Sequence, residues 1–427
     1  MRGMNMKLTV GKIIEVEIMD LDYRGYGVAK YNDNIIFMPN ALVGEKVEIK
    51  INKVKKNICE ATVLKRIETS LFRTKEQAHL GSLYLEHGTF LQQLQWQKEL
   101  TKKTLEKVLK KEINVLDTVT DYNEYHYRNK VVFHVLEQST LTLGLYQNEP
   151  IKLIKVNDFS LATPFVNEMI KKINDAQIEI DEKKFKHIVF KNNQNNEYMV
   201  TLVSYEKYFK GLESLIDLLK QQPEIIGITL NIKPNDYVIL GSKSYALYQE
   251  NMLKEKQFYL TDQTFFQVNY PVMEKTYELI KENVKSTHII DAYSGIGSIG
   301  FSLINDQTKE IIMIESHDEN IKIAEKIKEE NNYQQVTIYQ GKAEDILKKF
   351  PAQTLIVDPP RQGLMKQMVE KMLKYQYEQV IYLSCSLQTL TRDLKLLDEI
   401  YDIEKVYPIK MFPQTTSIET LVIIKRR

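Results

Sequence analysis

The stretch THIIDAYSGIGSIGFSLI, residues 287–304, decides the fold of the carboxyl-terminal part of this 427-residue chain. An apolar run ends near Asp291, a turn follows with glycines at 295 and 297, and a helical pattern completes the unit. Glycine permits the tight turn and the close backbone approach that a strand–turn–helix unit needs around a nucleoside. Glu315 ends the next apolar run, where a carboxylate can accept hydrogen bonds from both ribose hydroxyls. The stretch therefore predicts a nucleoside site on an α/β sheet.

Further apolar runs alternate with helical patterns on both sides of this stretch. From about residue 260 onward the candidate strands are THIID, EIIMIE, VTIYQ, TLIVD and QVIYLS. Such alternation is typical of a doubly wound, mostly parallel sheet. The sequence predicts a Rossmann-like domain over residues 259–427.

The remainder of the chain divides into two parts of different pattern. Residues 1–70 show period-2 alternation with a bend at Gly25 and Gly27, which predicts a small OB-like β-barrel. Residues 71–258 mix strands and helices without strict alternation, which predicts a central α+β domain. The fold class is multidomain α/β.

Composition and charge exclude several classes of protein. The chain is 43% hydrophobic and 27% charged, with a net charge of +1 and two cysteines. No apolar run approaches the roughly 20 residues that span a bilayer, and the first residues lack a signal-peptide pattern. Two distant cysteines give no disulfide framework. We expect a cytoplasmic protein, monomeric and without a membrane partner.

Local charge is more informative than net charge. Between Lys46 and Arg66, seven basic residues face two acidic ones. Lys53 and Lys55 in this segment are candidate phosphate contacts. A solvated strand face explains the same pattern equally well.

The ligand of the glycine turn is either a dinucleotide or S-adenosylmethionine. S-adenosylmethionine has no phosphate, so its site requires no anion-binding helix start. DAYSGIGSIGFSL instead resembles motif I of class I methyltransferases, which favours the methyl donor.

Three more segments lie where α/β sheets place their chemistry, beyond the carboxyl ends of strands. They are VDPPRQGL (357–364), YLSCSLQTLTRDL (382–394) and FPQTTSIETLVII (412–424). With motif I, TFFQVNYPVMEKTYELI (264–280) and YRNK (127–130), they resemble in order and spacing the RNA uracil-5-methyltransferase family. Residues 25–70 resemble a TRAM domain, an RNA-binding barrel of tRNA- and rRNA-modifying enzymes. The resemblance covers almost the entire chain, and it implies that a helix near 93–118 packs with the carboxyl-terminal domain.

The resemblance implies a mechanism that the chemistry of uracil explains. Carbon 5 is a poor nucleophile until a thiolate adds to carbon 6, and Cys385 corresponds to that nucleophile. Glu419 corresponds to the base that removes the carbon-5 proton before the thiol leaves. Asp358 corresponds to a residue that holds substrate and cofactor. Contacts to S-adenosylmethionine are implied for Gln267, Tyr293, Ser298 and Glu315, beside the turn glycines Gly295 and Gly297.

The sequence departs from the family at several positions. Ser298 stands where the family has Asn, and Lys342 where members carry Asn or Asp. Many relatives hold an iron–sulfur cluster through cysteines just after the TRAM domain, where KEQAHLGSLYLEHGTF (75–90) has none. His79 and His87 alone do not make a metal site. We therefore expect neither an iron–sulfur cluster nor another metal.

Several roles have two readings in the sequence. Arg128 and Lys130 of the YRNK segment are either RNA backbone contacts or an exposed strand start. Phe265 and Phe266 either line the pocket of a flipped base or, more in keeping with their type, pack in the core. Cys59 is interpreted as structural.

The sequence also leaves rival functions open. A non-catalytic RNA-binding or ribosome-assembly protein would keep the fold without the reaction. An RNA cytosine-5-methyltransferase would carry a second cysteine near DPP, and adenine amino-methyltransferases favour an aromatic residue after the prolines. We expect RNA as the partner, 23S ribosomal RNA before tRNA, with a uridine outside a stacked helix.

Overall fold

The computed structural model describes residues 8–76, 80–148, 151–181, 183–250, 252–347 and 352–427. Across these residues, the strands form three large sheets and one two-stranded sheet. No helix within the same ranges is both long enough and apolar enough to cross a membrane. His79, considered above as a metal ligand, lies outside the described residues.

The amino-terminal sheet confirms the predicted β-domain. Its strands pair in the order β1-β5-β6-β4-β3-β2. Alternate residues such as Val47, Ile49 and Ile51 are fully buried in its core, together with Cys59. The strands are β1 (Ile13–Glu17), β2 (Asp20–Leu21), β3 (Gly27–Tyr31), β4 (Asn34–Met38), β5 (Lys46–Lys55) and β6 (Ile58–Glu68).

The central sheet carries two helices on one face, as an α+β domain requires. Its order is β13-β12-β11-β10-β7-β8-β9, with a parallel pair at β11 and β12. Apolar side chains of both helices share one core with the sheet. The elements are β7 (Lys130–Val135), β8 (Leu143–Asn148), β9 (Ile151–Lys155), α2 (Pro164–Asp175), β10 (Phe185–Asn192), β11 (Tyr198–Ser204), α3 (Leu212–Lys220), β12 (Ile225–Ile232) and β13 (Lys243–Gln249).

The carboxyl-terminal sheet confirms the predicted doubly wound arrangement. Its order is β18-β17-β16-β19-β20-β22-β21, parallel up to β20, with β22 antiparallel to both of its neighbours. A hairpin of β14 (Leu253–Glu255) and β15 (Phe258–Leu260) precedes it. The other elements are α4 (Tyr270–Asn283), β16 (His288–Ala292), α5 (Ser298–Ser302), β17 (Glu310–Glu315), α6 (Asp318–Glu330), β18 (Val336–Gln340), α7 (Ala343–Ile346), β19 (Thr354–Val357), α8 (Lys366–Tyr375), β20 (Gln379–Ser384), α9 (Leu387–Leu397), β21 (Tyr401–Ile409) and β22 (Glu419–Arg426).

Alternate residues of this sheet enter two separate cores because helices cover both of its faces. Ile289 and Ile311 face the core shared with α4 and α6. Ile290 and Ile312 face the core shared with α8 and α9. Strands buried on both faces explain the continuous apolar runs in the sequence.

Helix α1 (Phe90–Leu109) packs against α9 and β21, far along the chain. The predicted end at residue 118 is wrong, because Lys110 adopts a left-handed conformation (φ 58°) and closes the helix. The following residues run extended and pair with β21 through Val115 and Val119. Sheet pairing therefore replaces the last predicted turns of the helix.

Gln97 of α1 offers a test of this junction. Its side chain is fully buried, and Nε2 donates to the carbonyl oxygens of Ile409 (2.8 Å) and Glu419 (3.4 Å). Gln97→Met keeps the volume but leaves these carbonyls without the donor, which should cost about 1–3 kcal/mol of unfolding free energy. Gln95→Met, on the exposed face of the same helix, should stay within about 0.5 kcal/mol.

Urea denaturation of the three proteins measures both values. Equal stability of the Gln97→Met and Gln95→Met proteins would contradict a stabilising role for this contact.

Candidate active site

A cavity of about 810 Å³ opens at the carboxyl edge of the carboxyl-terminal sheet. Its walls come from the segments after β16, β17, β19 and β20, and from the segment before β22. The structure brings eight predicted residues together there: Gln267, Tyr293, Gly295, Ser298, Glu315, Asp358, Cys385 and Glu419. Lys342, for which the sequence predicted no role, lines the cavity as well.

The glycine turn after β16 has the conformation that its sequence requires. Gly295 and Gly297 have φ values of 58° and 84°, a region that disfavours other residues. A Cβ on Gly297 would lie 2.6 Å from the Phe301 ring, so Gly297 supports the turn from behind and does not line the cavity. The Gly300 N–H donates to Asp291 Oδ2 (2.9 Å), which fixes the start of α5.

Glu315 is held by backbone donors at the end of β17. Its Oε2 accepts from the Gly295 N–H (2.9 Å), and Oε1 accepts from the N–H groups of Ser316 and His317 (2.7 Å each). A carboxylate has further lone pairs in this arrangement. Glu315 therefore joins the glycine turn to the next strand and can still accept hydrogen bonds from a ligand.

Carboxyl groups dominate the cavity wall. They belong to Asp291, Glu315, Glu344, Asp358 and Glu419, whereas the basic residues among the described lining residues are Lys342 and Arg361. Burial raises the pKa of Asp291 and of Asp358 to about 7, and burial with the nearby Asp358 raises that of Glu419 to about 8. Asp291 Oδ1 and Glu419 Oε2 are buried and have no hydrogen-bond partner among the residues that the structure describes. The cavity thus favours a cationic ligand.

Strand pairing brings Cys385 and Glu419 to one side of the cavity. Ser384, the last residue of β20, pairs with Thr420 of β22 in antiparallel register. The next residues outward are Cys385 and Glu419, and opposed residues of such a pair lie about 4.5–5.5 Å apart at Cα. Both side chains therefore line the cavity at the same end of the sheet.

The environment of Cys385 disfavours its thiolate in the ligand-free protein. The residue is half-buried and precedes Ser386, the N-cap of α9. Burial, followed by the charges of Glu419 and Asp358, raises the pKa of the thiol, and Arg361 opposes this. A cation bound among these carboxylates would offset their effect on the thiol.

Asp393 of α9 positions the DPPR segment beside the thiol. This fully buried carboxylate accepts from the Leu364 N–H and the Tyr382 hydroxyl, both at 2.8 Å. Gly363 has a φ of 76°, and a Cβ there would lie 2.7 Å from Asp393 Oδ2. One helix therefore fixes both the Cys385 segment and the Asp358 segment.

Tyr277 lines the cavity but was not found from the sequence. Its hydroxyl lies 2.9 Å from Ser298 Oγ. Tyr277 occupies the buried face of α4 with Tyr270 and Met273. Its sequence spacing is that of a core residue, so no pattern distinguished it.

The structure divides the two phenylalanines that the sequence left ambiguous. Phe265 is 67% exposed at the cavity. Phe266 is 6% exposed and its ring packs near Phe258 and Tyr270. Core packing thus describes Phe266, whereas Phe265 remains accessible to a ligand.

The YRNK segment lies between the central sheet and the cavity. Asn129 is buried, its side chain donates to the Gln267 carbonyl (2.8 Å) and its N–H donates to the Val268 carbonyl (3.0 Å). Arg128 and Lys130 are half-buried, with the Arg128 guanidinium 5.9 Å from the Phe412 ring centroid. An exposed strand start is therefore the wrong description of this segment. Lys53 and Lys55 are exposed on β5, outside the cavity.

No metal centre is visible in the part of the chain that the structure describes. Within it, no group of three or more His, Cys, Asp and Glu side chains is placed to hold an ion.

The strand order, with an antiparallel β22 inserted before the edge strand, and the nucleoside cavity define a class I methyltransferase domain joined to a β-barrel. Comparison with known proteins identifies the family. Residues 89–427 match the tRNA (uracil-5-)-methyltransferase family and residues 7–64 match the TRAM domain. The chain belongs to the tRNA (uracil-5-)-methyltransferase family, whose enzymes transfer a methyl group from S-adenosylmethionine to uracil in RNA.

Individual proteins resemble the chain over almost their whole lengths. An uncharacterized RNA methyltransferase of Enterococcus faecalis is 32% identical, with 99% of each chain covered. One of Staphylococcus epidermidis is 30% identical, with 96% of this chain and 97% of that protein covered. The crystal structure of Pyrococcus abyssi tRNA (uracil-54, C5)-methyltransferase with S-adenosyl-L-homocysteine has a TM-score of 0.74 at 20% identity, covering 96% of this chain and all of the other.

The cavity fits S-adenosylmethionine on physical grounds. The cofactor carries a sulfonium and an ammonium charge, and the unpartnered oxygen of Asp291 with the surrounding carboxylates provides the complementary charge. Glu315, beside the glycine turn, is placed to accept from ribose hydroxyls. When bound, the cofactor supplies an electrophilic methyl group.

Affinity for S-adenosylmethionine should increase with pH. Carboxyl groups whose pKa is raised to about 7 are partly protonated at pH 6 and ionised at pH 8, and the ionised form attracts the cation. The association constant should rise about one log unit per pH unit for each proton displaced. Isothermal titration calorimetry at pH 6, 7 and 8, in buffers of different ionisation enthalpy, measures affinity and proton release together.

Asp291→Asn should weaken binding and flatten this pH profile. Asp345→Asn removes an exposed carboxylate on α7 outside the cavity and should change neither. Binding that is independent of pH and releases no proton would contradict the assigned electrostatics.

Proposed function

We propose that this enzyme methylates carbon 5 of a uridine, in 23S ribosomal RNA first of all, through a covalent adduct between Cys385 and carbon 6. The observation that supports the proposal is that Cys385 and Glu419 line one cavity, each next to the paired residues Ser384 and Thr420. A thiol and a base in one cavity are what addition to carbon 6 and later proton removal require.

The proposed reaction assigns one role to each group. The Cys385 thiolate adds to carbon 6 of uracil, and the ring electrons then make carbon 5 nucleophilic enough to take up the methyl group. Glu419 removes the remaining proton from carbon 5. The ring electrons then expel Cys385 as a thiolate and restore the carbon 5–carbon 6 double bond. Asp358, lining the same cavity, would hold the substrate and the cofactor in position.

The environment of Glu419 supports its role as the base. The carboxyl group is 4% exposed, and its raised pKa of about 8 makes it a stronger base than an exposed carboxylate. Water competes poorly for a group so deeply buried. The contact of Gln97 with the Glu419 backbone holds the residue from behind.

For the cofactor we propose contacts from Gln267, Tyr293, Ser298 and Glu315, which line the cavity with Gly295. Gly297 contributes through the turn, and Lys53, Lys55, Arg128 and Lys130 are proposed RNA contacts. The target uridine must leave its stack, because a stacked base does not expose carbon 6 to a thiol. We propose that the enzyme works in the cytoplasm as a monomer.

The identity of the RNA separates the two leading candidates. The Enterococcus and Staphylococcus relatives are named RNA methyltransferases, a name that does not distinguish ribosomal RNA from tRNA. A tRNA substrate is the second candidate, because the Pyrococcus structure is that of a tRNA enzyme.

Expression in a cell that lacks its own uracil-5-methyltransferases tests the proposal. Mass spectrometry of separated 23S ribosomal RNA and tRNA should find 5-methyluridine in the ribosomal pool. Cys385→Ala should abolish it, since carbon 5 is not activated without the thiolate, whereas Cys59→Ala should retain it because Cys59 lies in the barrel core.

The outcomes of this experiment exclude one another. Methylation of tRNA alone would select the second candidate. Methylation that persists in Cys385→Ala would refute the covalent mechanism. A folded, RNA-binding protein that yields no 5-methyluridine would favour a non-catalytic RNA-binding function. A methyl group on cytosine would favour an RNA cytosine-5-methyltransferase.

Glu419→Gln should trap the covalent intermediate. Without a base to remove the carbon-5 proton, the thiol cannot be eliminated, so protein and RNA stay joined. Denaturing electrophoresis with labelled RNA and S-adenosylmethionine should show a slow band that is absent in the Glu419→Gln, Cys385→Ala double variant. Normal turnover by Glu419→Gln would assign the base to another residue.

A further inference from the structure

A second, smaller cleft of about 330 Å³ lies beside the cofactor cavity. Its walls are three tyrosines, one arginine and two hydroxyl residues: Tyr23, Arg24, Tyr26, Tyr84, Thr416 and Ser417. The volume falls at the lower end of the roughly 300–1,000 Å³ range of ligand pockets. Its composition, aromatic rings with one cation, is that of a surface on which a nucleobase stacks.

The barrel side of the cleft is a preformed turn between β2 and β3. Asp22 accepts hydrogen bonds from the N–H groups of Arg24 (2.8 Å) and Tyr26 (2.9 Å), and its carbonyl accepts from the N–H of Gly25 (3.0 Å). The Trp96 indole of α1 also donates to the Asp22 carbonyl (3.2 Å). Few conformational degrees of freedom remain to be lost when a ligand binds.

The cation in the cleft is neutralised locally and stacked on aromatic rings. Arg24 Nε donates to Asp22 Oδ2 at 2.7 Å, and the guanidinium lies 4.4 Å from the Tyr26 ring centroid and 5.7 Å from that of Tyr23. Because Asp22 supplies a compensating charge, the site is less suited to a phosphate than to the face of a base. Tyr23 is 58% exposed and the Arg24 side chain 35%, so both remain accessible.

The cleft is continuous with the cofactor cavity. Ser417 lines both, and it precedes Glu419 by two residues. Two residues span at most about 7 Å. A Cβ on Gly25 would lie 2.8 Å from Leu85 and 3.0 Å from Thr416. The turn therefore packs directly on the segment before β22, the catalytic loop. A base in the cleft would therefore lie next to a uracil at Glu419.

We propose that this cleft is a nucleobase subsite, formed jointly by the barrel and the catalytic loop, that stacks a base neighbouring the target uridine on Tyr23 and Arg24. The inference rests on the proposed function for the position of the target. The subsite gives the barrel a direct part in presenting the uridine. An RNA strand that is anchored one nucleotide away keeps the unstacked base over Cys385.

Binding of an RNA oligonucleotide tests the subsite without requiring methyl transfer. Fluorescence anisotropy of a labelled twelve-uridine RNA, with S-adenosyl-L-homocysteine present, gives the dissociation constant. Tyr23→Ala should raise it about five- to a hundredfold, the range for loss of one stacked base. Tyr23→Phe keeps the ring and should match the wild type, as should Tyr122→Ala, which removes another exposed tyrosine outside both cavities.

Photocrosslinking gives a second, independent readout. The same oligonucleotide with 4-thiouridine substitutions should crosslink to the peptide that contains Tyr23 and Tyr26, and unlabelled RNA should compete. Equal affinities of Tyr23→Ala and wild type, the absence of measurable binding, or crosslinks confined to other peptides would overturn the subsite.

The two proposals fail in different ways. Loss of affinity in Tyr23→Ala with no 5-methyluridine from any pool would refute the reaction and keep the subsite. Methylation of the natural RNA with an unchanged KM in Tyr23→Ala would refute the subsite and keep the reaction.

Discussion

The antiparallel insertion of β22 between β20 and β21 is the constraint on which the site depends. In a purely parallel sheet, Glu419 at the start of its strand would lie at the opposite edge from Cys385, which follows the end of β20. Reversal of β22 brings the start of one strand to the end of the other. Two residues separated by a helix, a strand and a loop thereby become neighbours. The helices, and the Asp393 contacts in particular, maintain this edge.

The same arrangement has an electrostatic cost that the rest of the fold must bear. Buried carboxyl groups with raised pKa values oppose one another in the empty cavity, and folding must hold them together without a cation. Large apolar cores on both faces of the sheet provide the compensating stability. A ligand of opposite charge removes this cost, so its binding stabilises the folded protein.

The sheet and the glycine turn could be predicted because each leaves a local pattern in the sequence, whereas the roles of Cys385 and Glu419 came from the family resemblance and stay predictions. Asp291 and Glu315 end apolar runs, and Cys385 follows one. The end of α1 left no such pattern, because Val115 pairs with β21, which lies far along the chain. Tyr277 has the spacing of a core residue. No sequence pattern indicates that the Asn129 side chain donates a hydrogen bond to the Gln267 carbonyl. Contacts between distant parts of the chain decide these cases.

Helix α1 lies between the barrel and the catalytic sheet, and this makes the catalytic domain discontinuous along the chain. Leu105 and Leu109 fill the same core as β20 and β22, while Trp96 contacts the barrel turn at Asp22. A gene segment that encoded the Rossmann-like part alone, from residue 259, would lack one wall of its own core. The central sheet therefore lies, along the chain, between two parts of one core, and the catalytic domain needs residues from both sides of it.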